Sequence, residues 1–160
     1  MRFFFKNKNM YRLYIMTHLL RKKDDLEFGL NNEILILNEV NERFPETFKT
    51  TDKFDRFDFR NDSLKIDMEL KSRRIFKGQY HTIFFDEGKL IKGRDNIKNG
   101  KTERVIYLFQ FVAQHNKKMR ELWYWEDDGS ELIITMCGNY QRGEIAKRLA
   151  NVPMGKLKKW

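Results

Sequence analysis

Between Phe54 and Arg73 apolar residues recur at every second position on both sides of a polar turn, Asn61-Asp62-Ser63. A period of two predicts a β-hairpin. In its second arm Leu64, Ile66, Met68 and Leu70 share one face, so Lys65, Asp67, Glu69 and Lys71 share the other and are expected to point outward. In the first arm Phe57 and Phe59 form the expected inward pair, which sends Asp58 to the charged face, opposite Glu69 and Lys71. Upstream the period changes. Leu26, Leu30, Ile34, Leu37, Val40 and Phe44 recur at helical spacing, with Asp24-Asp25 near the start and Pro45 just beyond, which predicts a helix over 26–44.

Downstream, Tyr80 to Phe85 is rich in β-branched and aromatic residues and reads as a short strand or an extended loop. Asp86 stands where it can cap a helix running through Leu90 and Ile91 toward Asn96, and Arg94 to Arg104, with Gly100, reads as a polar turn region. Arg104 to Phe111 is a continuous apolar run of strand length, the pattern of a central strand covered on both faces. Ala113 to Met119, with His115, is a short basic connection. Glu121 to Trp125 is an aromatic strand closed by Asp127-Asp128-Gly129, and Leu132 to Met136 would extend the sheet. Gly143 to Ala150 reads as a short basic helix broken by Val152-Pro153-Met154. Trp123 and Trp125 are expected in the core rather than stacked on bases. The order helix, hairpin, helix, strand, strand predicts an α/β fold with a mixed central sheet flanked by helices.

A chain of 160 residues suits one domain, assigned to 26–160 with a basic C-terminal segment. Residues 1–25 are a basic extension in which Lys6, Lys8 and Arg12 interrupt any secretory core. The formal charge of +9 points to a polyanionic partner. Arg142, Lys147, Arg148, Lys156, Lys158 and Lys159 would follow a phosphate backbone with little sequence choice. No run reaches the ~18 apolar residues of a membrane span, so no membrane partner is expected. Cys137 stands alone, which excludes an internal disulfide and fits a reducing, cytoplasmic setting. His18, His81, His115 and Cys137 are too scattered to suggest zinc.

The charged face of the hairpin changes the picture more than composition does. Two carboxylates a few ångströms apart suit a hard divalent cation that keeps waters for a substrate phosphate. A lysine beside them can orient a water and offset developing phosphate charge. At these residues the chain resembles the PD-(D/E)XK nuclease superfamily. Asp58 lies on one hairpin arm and Glu69-Leu70-Lys71 on the next, with Phe57 where the name-giving motif has proline. The resemblance implies a restriction endonuclease-like core and DNA hydrolysis dependent on Mg2+ or Mn2+. Asp58, Glu69 and the main-chain carbonyl of Leu70 would be metal ligands, with Asp55 the alternative to Asp58. Lys71 would position the nucleophile, and Glu33 on the preceding helix would complete the site, with Glu27 and Glu39 as alternatives. Glu-Leu-Lys-Ser-Arg followed by Tyr-x-Thr and a helix lysine is similar to small phage and viral members, an infected host cell then being the setting. It implies contacts around the scissile phosphate for Arg73, Tyr80, Thr82 and Lys89. DNA is the implied partner, and a homodimer would cut both strands. The alternative is a non-catalytic nucleic-acid-binding protein that keeps the nuclease fold.

Overall fold

In the computed structural model, which describes residues 8–44, 47–52, 55–112, 120–138 and 145–160, the chain opens with a 36-residue helix, α1 (Lys8–Arg43). There follow β1 (Lys49–Thr50), β2 (Phe59–Asn61), β3 (Ile66–Arg73), β4 (Thr82–Asp86), α2 (Glu87–Lys98), β5 (Arg104–Val112) and β6 (Arg120–Glu126). The chain ends with β7 (Ile133–Cys137), β8 (Lys147–Pro153), a short 3-10 turn and β9 (Lys158–Lys159).

The hairpin forms where its alternation places it. β2 and β3 run antiparallel with Phe59 opposite Met68 and Asn61 opposite Ile66, and the Asn61 side chain accepts the Leu64 N–H at 2.8 Å to fix the turn. β3 then pairs in parallel with β5, Glu69 beside Tyr107. Parallel neighbours need a long crossover, supplied here by β4 and α2. The result is a mixed six-stranded sheet, β1-β2-β3-β5-β6-β9, with a separate antiparallel sheet, β4-β8-β7.

Both faces of the central sheet are covered. On one, Ile36 and Val40 of α1 pack on Phe59, Ile66, Met68, Leu70, Ile106 and Leu108. On the other, Val105, Tyr107, Phe109 and Phe111 meet Leu90 of α2 with Ile83, Phe85, Ala150 and Val152 of the small sheet. Phe85 and Tyr107 stack with ring centroids 4.1 Å apart. β5 is thus apolar on both sides because both sides are interior. The protein is a mixed α/β fold of three layers: α1, the large sheet, then α2 beside the small sheet.

Several expectations from the sequence need correction. The helix starts at Lys8, not Leu26, and part of the stripe that identified it faces outward: Leu26, Leu30 and Ile34 are each at least 60% exposed. Phe57 and Phe59 separate into different cores, because the chain bends over 55–58 instead of continuing the strand. The α2 helix runs on to Lys98, so the turn is confined to 99–103. Residues 133–137 pair with β8 in the small sheet rather than extending the large one. Lys147–Ala150 is strand, not helix, since pairing with β4 and β7 buries Ala150 and Val152; the start of the expected helix, 143–144, lies outside the described residues. The connection 113–119 lies outside them as well. Trp125 is core, whereas Trp123 is half-buried with the Lys77 ammonium over its ring. Among the described residues no helix is long and apolar enough to cross a membrane.

Candidate active site

The two arms of the hairpin are unequal, and the site lies where the shorter one stops. β2 ends its pairing at Phe59–Met68, so beyond Met68 no described strand pairs with that edge of β3. Asp58 closes the edge: its N–H donates to the Met68 carbonyl at 3.0 Å, and its Oδ2 accepts the Leu70 N–H at 2.7 Å. A strand residue directs its N–H and C=O to the same side, so the Leu70 carbonyl faces this edge too.

Glu69 has no exposed surface. Its Oε1 faces the Lys71 ammonium and its Oε2 the Lys89 ammonium, as ion pairs; neither oxygen accepts a hydrogen bond of ordinary geometry. Lys89 arrives from the first turn of α2, which Asp86 caps by accepting the Gly88 N–H at 2.7 Å. Burial, reinforced by the charge of Asp58 and opposed by both lysines, pushes the Glu69 carboxyl up to about 7. Glu33, half-buried on α1, is also raised, by burial first and then by Asp58, while Lys71 and Lys89 oppose the shift. Three carboxylates and two ammoniums from α1, the hairpin and α2 therefore share one electrostatic neighbourhood.

The donors around this edge are all hard oxygens. Asp58, Glu69 and the Leu70 carbonyl offer oxygens of the type that a Mg2+-like ion takes. Among the described residues no three His, Cys, Asp or Glu side chains form a closed metal-ligating group, so such an ion would rely on the carbonyl and on water.

The remaining residues singled out in the sequence are distributed unevenly. Arg73, two positions beyond Lys71, donates to the Phe84 carbonyl at 2.9 Å and lies over the Phe84 ring, and burial lowers its pKa with Glu69 opposing. Thr82 begins β4 opposite Pro153, and Tyr80 is 57% exposed with the Gln79 amide on its hydroxyl. No described contact brings either to Glu69. Asp55 is already engaged: its carboxylate accepts the N–H groups of Arg56 and Phe57 and pairs with Arg60 at 2.9 Å. Glu39 pairs with Arg120, and Glu27 is exposed, which leaves Glu33 as the α1 acid beside Asp58.

The outward charged face of β3 does not exist as expected, because α2 covers it. Asp67 is fully buried and accepts from Arg60 Nε at 2.6 Å, Thr102 Oγ1 at 2.7 Å and Asn96 Nδ2 at 3.0 Å. It ties hairpin, helix and loop together. The signal was available in the doubly apolar β5, since a strand beside it in the sheet is covered by the same layers.

Comparison with known protein families, with curated proteins and with solved structures finds no match to this chain.

Proposed function

We propose that the protein is a metal-dependent deoxyribonuclease with a restriction endonuclease-like core. The observation that carries this reading is Glu69: a fully buried carboxylate at an open strand edge, raised by burial and by Asp58, and held by two lysines. A carboxylate so costly to charge has a physical reason to persist if a cation binds there.

Asp58, Glu69 and the Leu70 carbonyl would hold Mg2+ or Mn2+, which when bound supplies Lewis-acid polarisation of a phosphoryl oxygen. Lys71 orients a water for in-line attack, and Lys89, released from Glu69, offsets the charge that gathers on the phosphate. Glu33, its pKa raised, is suited to take the proton from that water. The +9 chain draws in the DNA backbone, and two copies would be needed to cut both strands.

A second reading has one observation of its own. Lys71 and Lys89 already face both oxygens of Glu69, as they would in a nucleic-acid-binding protein that keeps the fold without turnover. A cleavage panel of linear, branched and single-stranded DNA, with Mg2+, Mn2+ or chelator, separates the two. The nuclease reading expects metal-dependent products that fall by about 100-fold or more in Lys71→Ala and Glu69→Ala. Full cleavage by folded Glu69→Ala removes it, and DNA affinity without any products favours the binder.

A further inference from the structure

A groove of about 530 Å3 lies apart from the Glu69 cluster, beyond the carboxyl ends of the parallel pair β3 and β5. The chain leaving β3 supplies Phe76 and Lys77, the end of β5 supplies Phe111, the start of β6 supplies Arg120, and Lys159 and Trp160 close the far side. Its volume falls in the range of about 300–1,000 Å3 typical of small-ligand sites.

The chemistry of the lining is that of a nucleotide site. Phe76 is 62% exposed, a bare aromatic face on the wall of a concave surface. Of the two acids of the lining, Glu39 is paired with Arg120, while Glu121 accepts the Trp123 indole N–H at 3.0 Å and keeps its charge. Lys77 lies 3.7 Å from the centre of the Trp123 ring, and neither it nor Lys159 has an acidic partner among the described residues. The groove thus combines an exposed aromatic ring with one more cation than acid, Lys77, Arg120 and Lys159 against Glu39 and Glu121, which suits an anion carrying a flat ring. Aromatic platforms flanked by cations bind unpaired bases with little sequence preference.

The spacing from the candidate active site is also suitable. Tyr107 is the register partner of Glu69, and Phe111 is four residues further along β5. At about 3.3 Å per residue that is about 13 Å. A stacked strand advances about 3.4 Å per nucleotide, so the groove lies about four nucleotides from a phosphate held at Glu69.

We infer that this groove is a second binding subsite, taking one unpaired nucleotide of a single-stranded DNA segment, with its base on Phe76 and its phosphate between Lys77 and Lys159. The inference rests on the nuclease reading for its substrate and deepens it: the DNA acted on carries an unpaired tract about four nucleotides from the cut.

The test uses the full chain carrying Asp58→Asn, so that binding is measured without turnover, and a labelled oligothymidylate beside a duplex of equal length. Adding Phe76→Ala is expected to weaken oligothymidylate binding roughly tenfold while duplex affinity stays within twofold. Lys77→Ala should weaken the same arm and make its salt dependence shallower, with the duplex salt dependence unchanged. Quenching of tryptophan fluorescence by the oligonucleotide, from Trp160 in the lining and Trp123 under Lys77, should shrink in step. Because Phe76 is exposed, an unchanged melting temperature verifies that the fold is intact. Unchanged oligothymidylate affinity in Phe76→Ala, or an equal loss on duplex, overturns the subsite. A wild-type chain that gives no metal-dependent products overturns the nuclease reading instead, and leaves the affinity result standing for a single-strand binder.

Discussion

Replacing Glu69 by glutamine should make the metal-free protein more stable in alkaline solution and inactive at once. The carboxyl has no exposed surface, and its pKa is pushed from the ordinary 4.5 to about 7, by burial first, with Asp58 adding to what Lys71 and Lys89 oppose. Each unit of displacement corresponds to 1.36 kcal/mol, so the ionised form is disfavoured by about 3 kcal/mol in the folded chain. The folded state holds this proton up to about pH 7, whereas the unfolded state releases it near pH 4.5. Between those values the folded state binds more protons, and raising the pH lowers stability; above the folded pKa the loss is complete.

Glutamine matches the shape of the protonated acid and never ionises. Glu69→Gln should therefore equal wild type near pH 4.5, gain steadily from there, and exceed it by about 3 kcal/mol at pH 8.5. Lys71 and Lys89 lose their partner in this variant but retain some exposure to water, which limits the opposing cost. Urea denaturation in chelator at a series of pH values measures the difference directly. Other titrating groups are common to both proteins and largely cancel. A stability difference that does not change with pH, or a variant weaker than wild type at pH 8.5, would refute the argument that Glu69 is a buried charge held at a cost.

Asp67→Ala should destabilise by about 2–4 kcal/mol, since it leaves the buried Asn96 amide and Thr102 hydroxyl without their acceptor while Arg60 keeps Asp55; thermal denaturation checks it. Gly93→Ala should cost about 1–3 kcal/mol despite better helix propensity, because its Cβ would stand 3.2 Å from Val105 and from the Tyr107 hydroxyl. As Gly93 is one turn from Lys89, its melting temperature and its cleavage rate should fall together.

The hairpin, the α2 cap at Asp86 and the buried β5 were legible because each is dictated by local pattern: alternation, a capping side chain before a helix, an uninterrupted apolar run. The shared face of Glu69 and Lys71 was legible for the same reason, since both lie at alternate positions of β3, whereas Asp58 comes beside Glu69 through the bend over 55–58 and not through hairpin register. Two kinds of feature were not. Sheet membership of β7 and β8 depends on which strands meet across the fold, and Lys147–Ala150 carries a composition that suits helix equally well. The burial of Asp67 and Glu69 depends on α2 arriving from the far end of a crossover, and alternation on β3 cannot distinguish water from a covering helix.

That covering helix explains why the candidate site lies at an edge rather than on a face. Had β2 paired with β3 through Arg73, a neighbouring strand would have taken the Leu70 N–H, and the Asp58 carboxylate could not have reached it. Instead β2 is three residues long against eight in β3. The bend over 55–58, fixed by Asp55 accepting the N–H groups of Arg56 and Phe57, presents Asp58 to the freed edge. Asp55 and Asp58 thus divide two tasks that sequence alone left interchangeable. One carboxylate holds the bend through Arg60 and backbone donors, and the other is left beside Glu69, where its negative charge raises the pKa of its neighbour. Exchanging the roles would require Asp55 to give up Arg60 and the two backbone donors that fix the bend.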